Sequence, residues 1–77
     1  PLKDVMFRPS RVAFLMGFEV DKKTQQRYLE SLGCKVNVEA DDHWRVTLPS
    51  WRFDLTIEED LVEEVGRLHG YEHIGET

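Results

Sequence analysis

The sequence predicts an α+β domain of three helices and a small antiparallel sheet. Three observations carry the prediction. Apolar residues recur at helical spacing before residue 33, alternate with polar ones between 34 and 48, and return to helical spacing after 56. A polar turn, Ala40-Asp41-Asp42-His43, divides the alternating stretch as a hairpin turn does. Glycines stand at the points where the helical patterns stop.

Each element follows from its own residues. Val5-Met6-Phe7 reads as an edge strand. After Pro9-Ser10, the residues Val12, Leu15 and Met16 make an i, i+3, i+4 stripe, and Gly17 closes a short helix. Asp21 is placed to cap a second helix over 22–32, with Tyr28, Leu29 and Leu32 inward and Gly33 as its stop. Cys34, Val36 and Val38 then alternate with polar residues, as do Trp44, Val46 and Leu48 after the turn, which gives a hairpin with one buried face. Pro49 ends the hairpin. Thr56 and Glu59 have capping-box spacing for a third helix whose seam is Leu61, Val65 and Leu68, with Gly70 expected to stop it. Strand, helix, helix, hairpin, helix makes a small α+β, winged helix-turn-helix-like domain, the likeness lying in its first four elements.

Composition bounds what such a unit does. Seventy-seven residues make one domain, spanning 1–77, near the lower size at which a single core holds. Trp44, Trp51, Phe7, Phe14, Phe18 and Phe53 are expected to supply much of the buried area. The formal net charge of -5 argues against general affinity for nucleic acid, which rests on phosphate neutralisation. That charge is uneven: residues 1–52 hold nine Lys/Arg against seven Asp/Glu, and residues 53–77 hold one against eight. A dipolar layout of this kind reads as a partner surface. Cys34 is the single cysteine, which suits a reducing, cytoplasmic setting. No apolar run reaches membrane-spanning length and no signal-peptide pattern is present. A start at Pro1 without Met gives the expectation of a domain excised from a longer multidomain protein.

The densest chemistry lies in 49–65. Six carboxylates, Asp54, Glu58, Glu59, Asp60, Glu63 and Glu64, follow a Trp51-Arg52 pair. Asp60, Glu63 and Glu64 share one helix face at i, i+3, i+4, opposite the Leu61/Val65 seam, with Asp54 just before the helix. Four carboxylates without Cys or flanking His favour a hard cation, Mg²⁺ more than Zn²⁺. On spacing alone, a solvated acidic face is the commoner arrangement, with useful dipole charge in the first turn. Of the other two, Glu59 is expected to cap and Glu58 to be solvated. Trp51 is expected in the core, and Arg52 in an internal ion pair with Asp60 or Glu64. His69 and His73 have i, i+4 spacing, but the expected helix stop at Gly70 leaves them surface and turn positions. No catalytic triad, phosphate-binding glycine loop or acid/base pair is present, so the chain does not read as a free-standing enzyme. Lys22, Lys23 and Arg27 offer a basic stripe on the second helix, diluted by Glu19, Asp21 and Glu30. The aromatics fall on core positions and leave no stacking platform.

One family shares these motifs. The string Pro49-Ser50-Trp51-Arg52-Phe53-Asp54, then Glu59-Asp60-Leu61-Val62-Glu63-Glu64-Val65, Arg67, Gly70-Tyr71 and Ile74, resembles the B-five domain of bacterial phenylalanyl-tRNA synthetase beta chains. Arg8-Pro9-Ser10-Arg11 and Leu32-Gly33-Cys34 fit the same pattern, and the likeness covers essentially the whole chain. It implies a cytoplasmic parent in which two beta chains join two catalytic alpha chains. That assembly activates phenylalanine with ATP and transfers it to its tRNA, with the active site in the alpha chain. The beta chain of the family supplies tRNA-binding, editing and scaffold domains. The resemblance further implies an Mg²⁺ site, shared with the alpha chain, on Asp54, Asp60, Glu63 and Glu64. The competing expectation is a nucleic-acid-binding winged-helix module that contacts tRNA.

Overall fold

The computed structural model describes residues 2–75. Its elements run β1 (Lys3–Phe7), α1 (Ser10–Met16), α2 (Lys22–Ser31), β2 (Lys35–Ala40), β3 (His43–Leu48) and α3 (Glu58–Ile74), the order expected for an α+β unit. The sheet is antiparallel with strand order β1-β3-β2, so the hairpin's second strand is central.

Pairing register sets the core. Val5 faces Val46 and Phe7 faces Trp44 across β1 and β3. Side chains two apart on a strand share a face, so this register gathers Val5, Phe7, Trp44, Val46 and Leu48 on one side, all buried. The Phe7 and Trp44 rings meet at 5.8 Å, tilted by 39°. Against that face lie Val12 of α1, Tyr28 and Leu29 of α2, and Leu61, Val62 and Val65 of α3, with Leu55 entering from the connecting loop. Buried Gln25 joins the helices: its Nε2 donates to the carbonyls of Val20 at 2.8 Å and Pro9 at 3.3 Å.

Helix ends follow local chemistry. Asp21 caps α2 by accepting from the Thr24 amide at 2.7 Å. The α1 terminus lacks a cap from its own neighbours, and the hairpin turn supplies one. Asp42 accepts from the Ser10 amide at 2.8 Å and from the Ser10 hydroxyl at 2.6 Å. Gly33, at φ 91°, reverses the chain between α2 and β2 in a conformation that side chains with a Cβ disfavour.

Four expectations are corrected. First, α3 passes through Gly70 and ends at Gly75, where φ is 80°. A helical glycine costs only about 1 kcal/mol relative to alanine. The turns beyond Gly70 are tied down: Tyr28 donates to Glu72 Oε1 at 2.7 Å and Arg27 grips the same carboxylate through two 3.2 Å bonds. Secondly, the helix is capped one residue later than the Thr56/Glu59 spacing suggests. Ile57 holds the cap position without an acceptor of its own, and Asp60 reaches back to the amides of Thr56 and Ile57. Thirdly, Trp51 and Phe53 are 67% and 87% exposed, and Phe14 and Phe18 are also exposed. Residues 49–57 form a loop that buries Pro49 at its start and Leu55 in its middle and leaves both aromatic rings outside. Fourthly, Val38 points outward. It lies on edge strand β2, at a register shift between Val38 and Ala40 beside the hairpin tip.

Candidate functional site

Helix α3 presents the acidic face because its opposite face is spoken for. Leu61, Val62 and Val65 are fully buried, which turns Glu63 to solvent and leaves Asp60 and Glu64 half-buried along the flank. The 49–57 loop brings Arg52 and Asp54 to the same flank.

Arg52 organises what it meets there. Its Nε donates to Asp54 Oδ1 at 3.0 Å and its Nη2 to Asp54 Oδ2 at 2.8 Å, a two-pronged grip. The same Nη2 stands 3.6 Å from Glu64 Oε2. Glu64 is held from its other side by Arg67, whose Nη2 donates to Oε1 at 2.7 Å. The expected internal ion pair therefore forms with Glu64, and Asp54 takes the place that Asp60 was expected to fill. Hydrogen bonds from Arg52 hold the Asp54 carboxyl below its ordinary range.

Asp60 is fixed through one oxygen. Its Oδ2 accepts from the Thr56 amide at 2.9 Å, the Thr56 hydroxyl at 3.1 Å and the Ile57 amide at 3.2 Å. Those backbone donors, Thr56 first and Ile57 second, pull its pKa down, while the nearby charge of Asp54 pushes against them. Among the described residues, Oδ1 of Asp60 carries none of these bonds.

Asp54, Asp60, Glu63 and Glu64 thus share one flank. Asp54 and Glu64 are bridged by one guanidinium, Asp60 lies within electrostatic reach of Asp54, and Glu63 stands exposed one turn along. No three His, Cys, Asp or Glu side chains among the described residues converge as a metal cage. The donors are nonetheless all hard oxygens, with Asp60 Oδ1 and the exposed Glu63 carboxylate open to a cation. In donor chemistry the set fits Mg²⁺.

Neither Glu58 nor Glu59 takes its expected role, since Asp60 does the capping. Glu59 is exposed, whereas Glu58 receives three bonds from Arg8: the amide at 2.7 Å, Nε at 3.1 Å and Nη2 at 2.7 Å. That clamp ties the β1–α1 junction to the start of α3, and the Arg8 side chain lowers the Glu58 pKa. Nothing in the local spacing points to it, because its two halves lie fifty residues apart.

The basic stripe on α2 is largely spent inside the molecule. Lys22 pairs with Asp41 at 2.7 Å and Arg27 with Glu72 at 3.2 Å. No helix is long and apolar enough to cross a membrane among the described residues.

Comparison with known proteins gives the flank its context. The family model described as tRNA synthetase B5 domain matches residues 5–71. A protein of Rhodopirellula baltica named phenylalanine–tRNA ligase beta subunit is 51% identical over 72 residues, covering 94% of this chain and 10% of that protein. Proteins of the same name from Xylella fastidiosa and Xanthomonas campestris are 46% and 44% identical over 70 and 73 residues. These alignments cover 91% and 95% of this chain and 9% of each relative. The chain thus spans about a tenth of the length of these relatives. Matched across nearly all its length, from β1 into the last turns of α3, the chain belongs to the tRNA synthetase B5 domain family.

Proposed function

We propose that this chain is one domain of a phenylalanine–tRNA ligase beta subunit, serving there as a structural and interaction module. It has no turnover of its own. The parent is a cytoplasmic assembly of two alpha and two beta chains that attaches phenylalanine to its tRNA with ATP. The acidic flank of α3 meets the alpha chain, and Asp54, Asp60, Glu63 and Glu64 hold Mg²⁺ together with groups from that chain. The observation carrying this reading is the placement of all four carboxylates on one flank of a helix whose other face is locked into the core.

The chain's own residues have distinct parts in this reading. Leu61, Val62 and Val65 fix the axis of α3, so the carboxylates cannot retreat from the surface. The capping bonds on Asp60 Oδ2 set its second oxygen as a donor. Arg52 neutralises Asp54 and Glu64 until a partner supplies positive charge. Mg²⁺, when bound, would supply the positive charge that offsets these carboxylates, and the aminoacylation chemistry stays in the alpha chain. With so few protein oxygens available, an ion on the isolated domain keeps most of its water and binds weakly.

Two measurements test the reading. Mg²⁺ titrated into the chain alone and into its complex with the alpha chain should bind weakly in the first case and tightly in the second. Equal, tight binding in both would sink the shared site. Glu63→Lys should impair assembly with the alpha chain and leave the domain folded, since Glu63 is exposed. A Glu63→Lys complex that assembles with unaltered Mg²⁺ dependence would overturn the proposed contact.

A further inference from the structure

A second set of metal-ligating side chains lies at the far end of α3. Because the helix runs unbroken through Gly70, His69 and His73 stand one turn apart on the same face. Their ring centroids are 4.2 Å apart, with the planes inclined by 57°. His69 is held in place: Phe18 stacks on it at 5.5 Å and 22°, and Tyr28 meets it edge-on at 6.1 Å. His73 is exposed and free to turn toward its neighbour.

The hydrogen bonds behind His69 choose its tautomer. The Tyr28 hydroxyl lies 2.7 Å from Glu72 Oε1 and 3.2 Å from His69 Nδ1. A phenol has one proton, and an ionised carboxylate only accepts. That proton therefore goes to Glu72, and the phenol oxygen accepts from His69. The neutral imidazole therefore carries its hydrogen on Nδ1, which leaves the Nε2 lone pair open. Arg27 steadies Glu72 through two bonds of 3.2 Å, completing the support. An imidazole anchored through one nitrogen by an outer hydrogen bond, with the other nitrogen bare, is the usual condition of a metal-bound histidine.

We propose that His69 and His73 form a two-histidine site that takes a borderline divalent cation of the zinc class, with water completing its coordination. Imidazole pairs prefer Zn²⁺ or Ni²⁺ to Mg²⁺, so this site differs in chemistry from the carboxylate flank. Glu72 is already engaged by Arg27 and Tyr28 and acts as support. The bound cation links two turns of α3 across Gly70, where the backbone has least conformational restraint.

The test uses Zn²⁺ alone, titrated into the 77-residue chain in excess Mg²⁺, followed by calorimetry and nitrogen NMR of the imidazoles. His69 should show the Nδ1–H form before addition. One equivalent of Zn²⁺ should then shift the His69 and His73 ring nitrogens together. His43, on the hairpin beside Glu39, is the internal control and should stay unmoved. His73→Gln, at an exposed position, should weaken binding at least tenfold with the far-UV spectrum unchanged. Tyr28→Phe keeps the ring, removes the acceptor and should cost about 10–100-fold in affinity, the usual loss when outer support is removed. Undiminished Zn²⁺ affinity in His73→Gln, or a shift confined to His43 or the carboxylates, would overturn the site.

Discussion

Gly33→Ala separates backbone strain from side-chain contact at the α2–β2 junction. Gly33 has φ 91°, a region that costs a residue with a Cβ about 1–2 kcal/mol. A Cβ added there lies 2.7 Å from Cζ2 and 3.3 Å from Cη2 of Trp51, and 3.4 Å from Cβ of Pro49. The indole must move, but at 67% exposure it has room to swing. A displaced rotamer adds about 0.5–1.5 kcal/mol. The two terms have the same sign and sum to about 1.5–3.5 kcal/mol, a large part of the ~3–5 kcal/mol that a core of this size supplies. At ~4–8 °C per kcal/mol, Tm should fall by something on the order of 10–20 °C. Thermal unfolding followed by circular dichroism gives the total. Emission reports the indole, because Trp44 is buried and Trp51 carries the solvent-sensitive signal. In a Trp51→Ala background the same substitution should cost only the backbone part, about 1–2 kcal/mol. A Gly33→Ala chain that melts with its parent would refute the strain argument. A cost undiminished without Trp51 would refute the contact.

Two further outcomes are expected. Leu61→Ala removes a fully buried side chain at the base of the acidic flank, and such truncations cost about 2–5 kcal/mol. That matches the stability of the whole domain, so amide exchange should show loss of protection throughout, and protection retained outside α3 would contradict it. The third concerns pH. Hydrogen bonds from Ser10, hydroxyl first, hold Asp42 below its ordinary pKa of 3.8. The unfolded chain therefore binds the proton more readily, so this contribution is present above that value and fades as pH falls through the folded one. Asp42→Ala should lower Tm near neutrality, with the gap to the parent closing in acid. A gap independent of pH would assign the cost to lost packing.

Much of the fold was legible because period carries it. Alternation marked β2 and β3, Asp21 and Gly33 marked the ends of α2, and Leu61, Val65 and Leu68 marked the seam of α3. The errors arose where distant contacts decide. Gly70 reads as a stop until Tyr28 and Arg27 are seen to anchor Glu72 beyond it. Trp51 and Phe53 read as core because they are large, yet they sit in a loop that turns Pro49 and Leu55 inward instead. In the acidic stretch, spacing identified the four carboxylates that share a flank. The residues also suggested the Arg52–Glu64 pair, but not that Arg52 grips Asp54 or that Arg67 holds Glu64, because a charge pair is decided by reach and loop path. The Arg8–Glu58 clamp has no signal in either half of the sequence.

The grip of Arg52 on Asp54 and Glu64 makes the chain its own competitor. Any cation approaching those carboxylates must displace a guanidinium that is covalently tethered and so can never be diluted away. Its apparent affinity is its intrinsic affinity scaled by the fraction of molecules in which Arg52 has let go. A partner that drew Arg52 aside, by offering it a carboxylate, would raise that fraction without touching the ion. Tight binding would then appear only in the assembled pair, and the domain alone would remain indifferent to ordinary fluctuations in free metal.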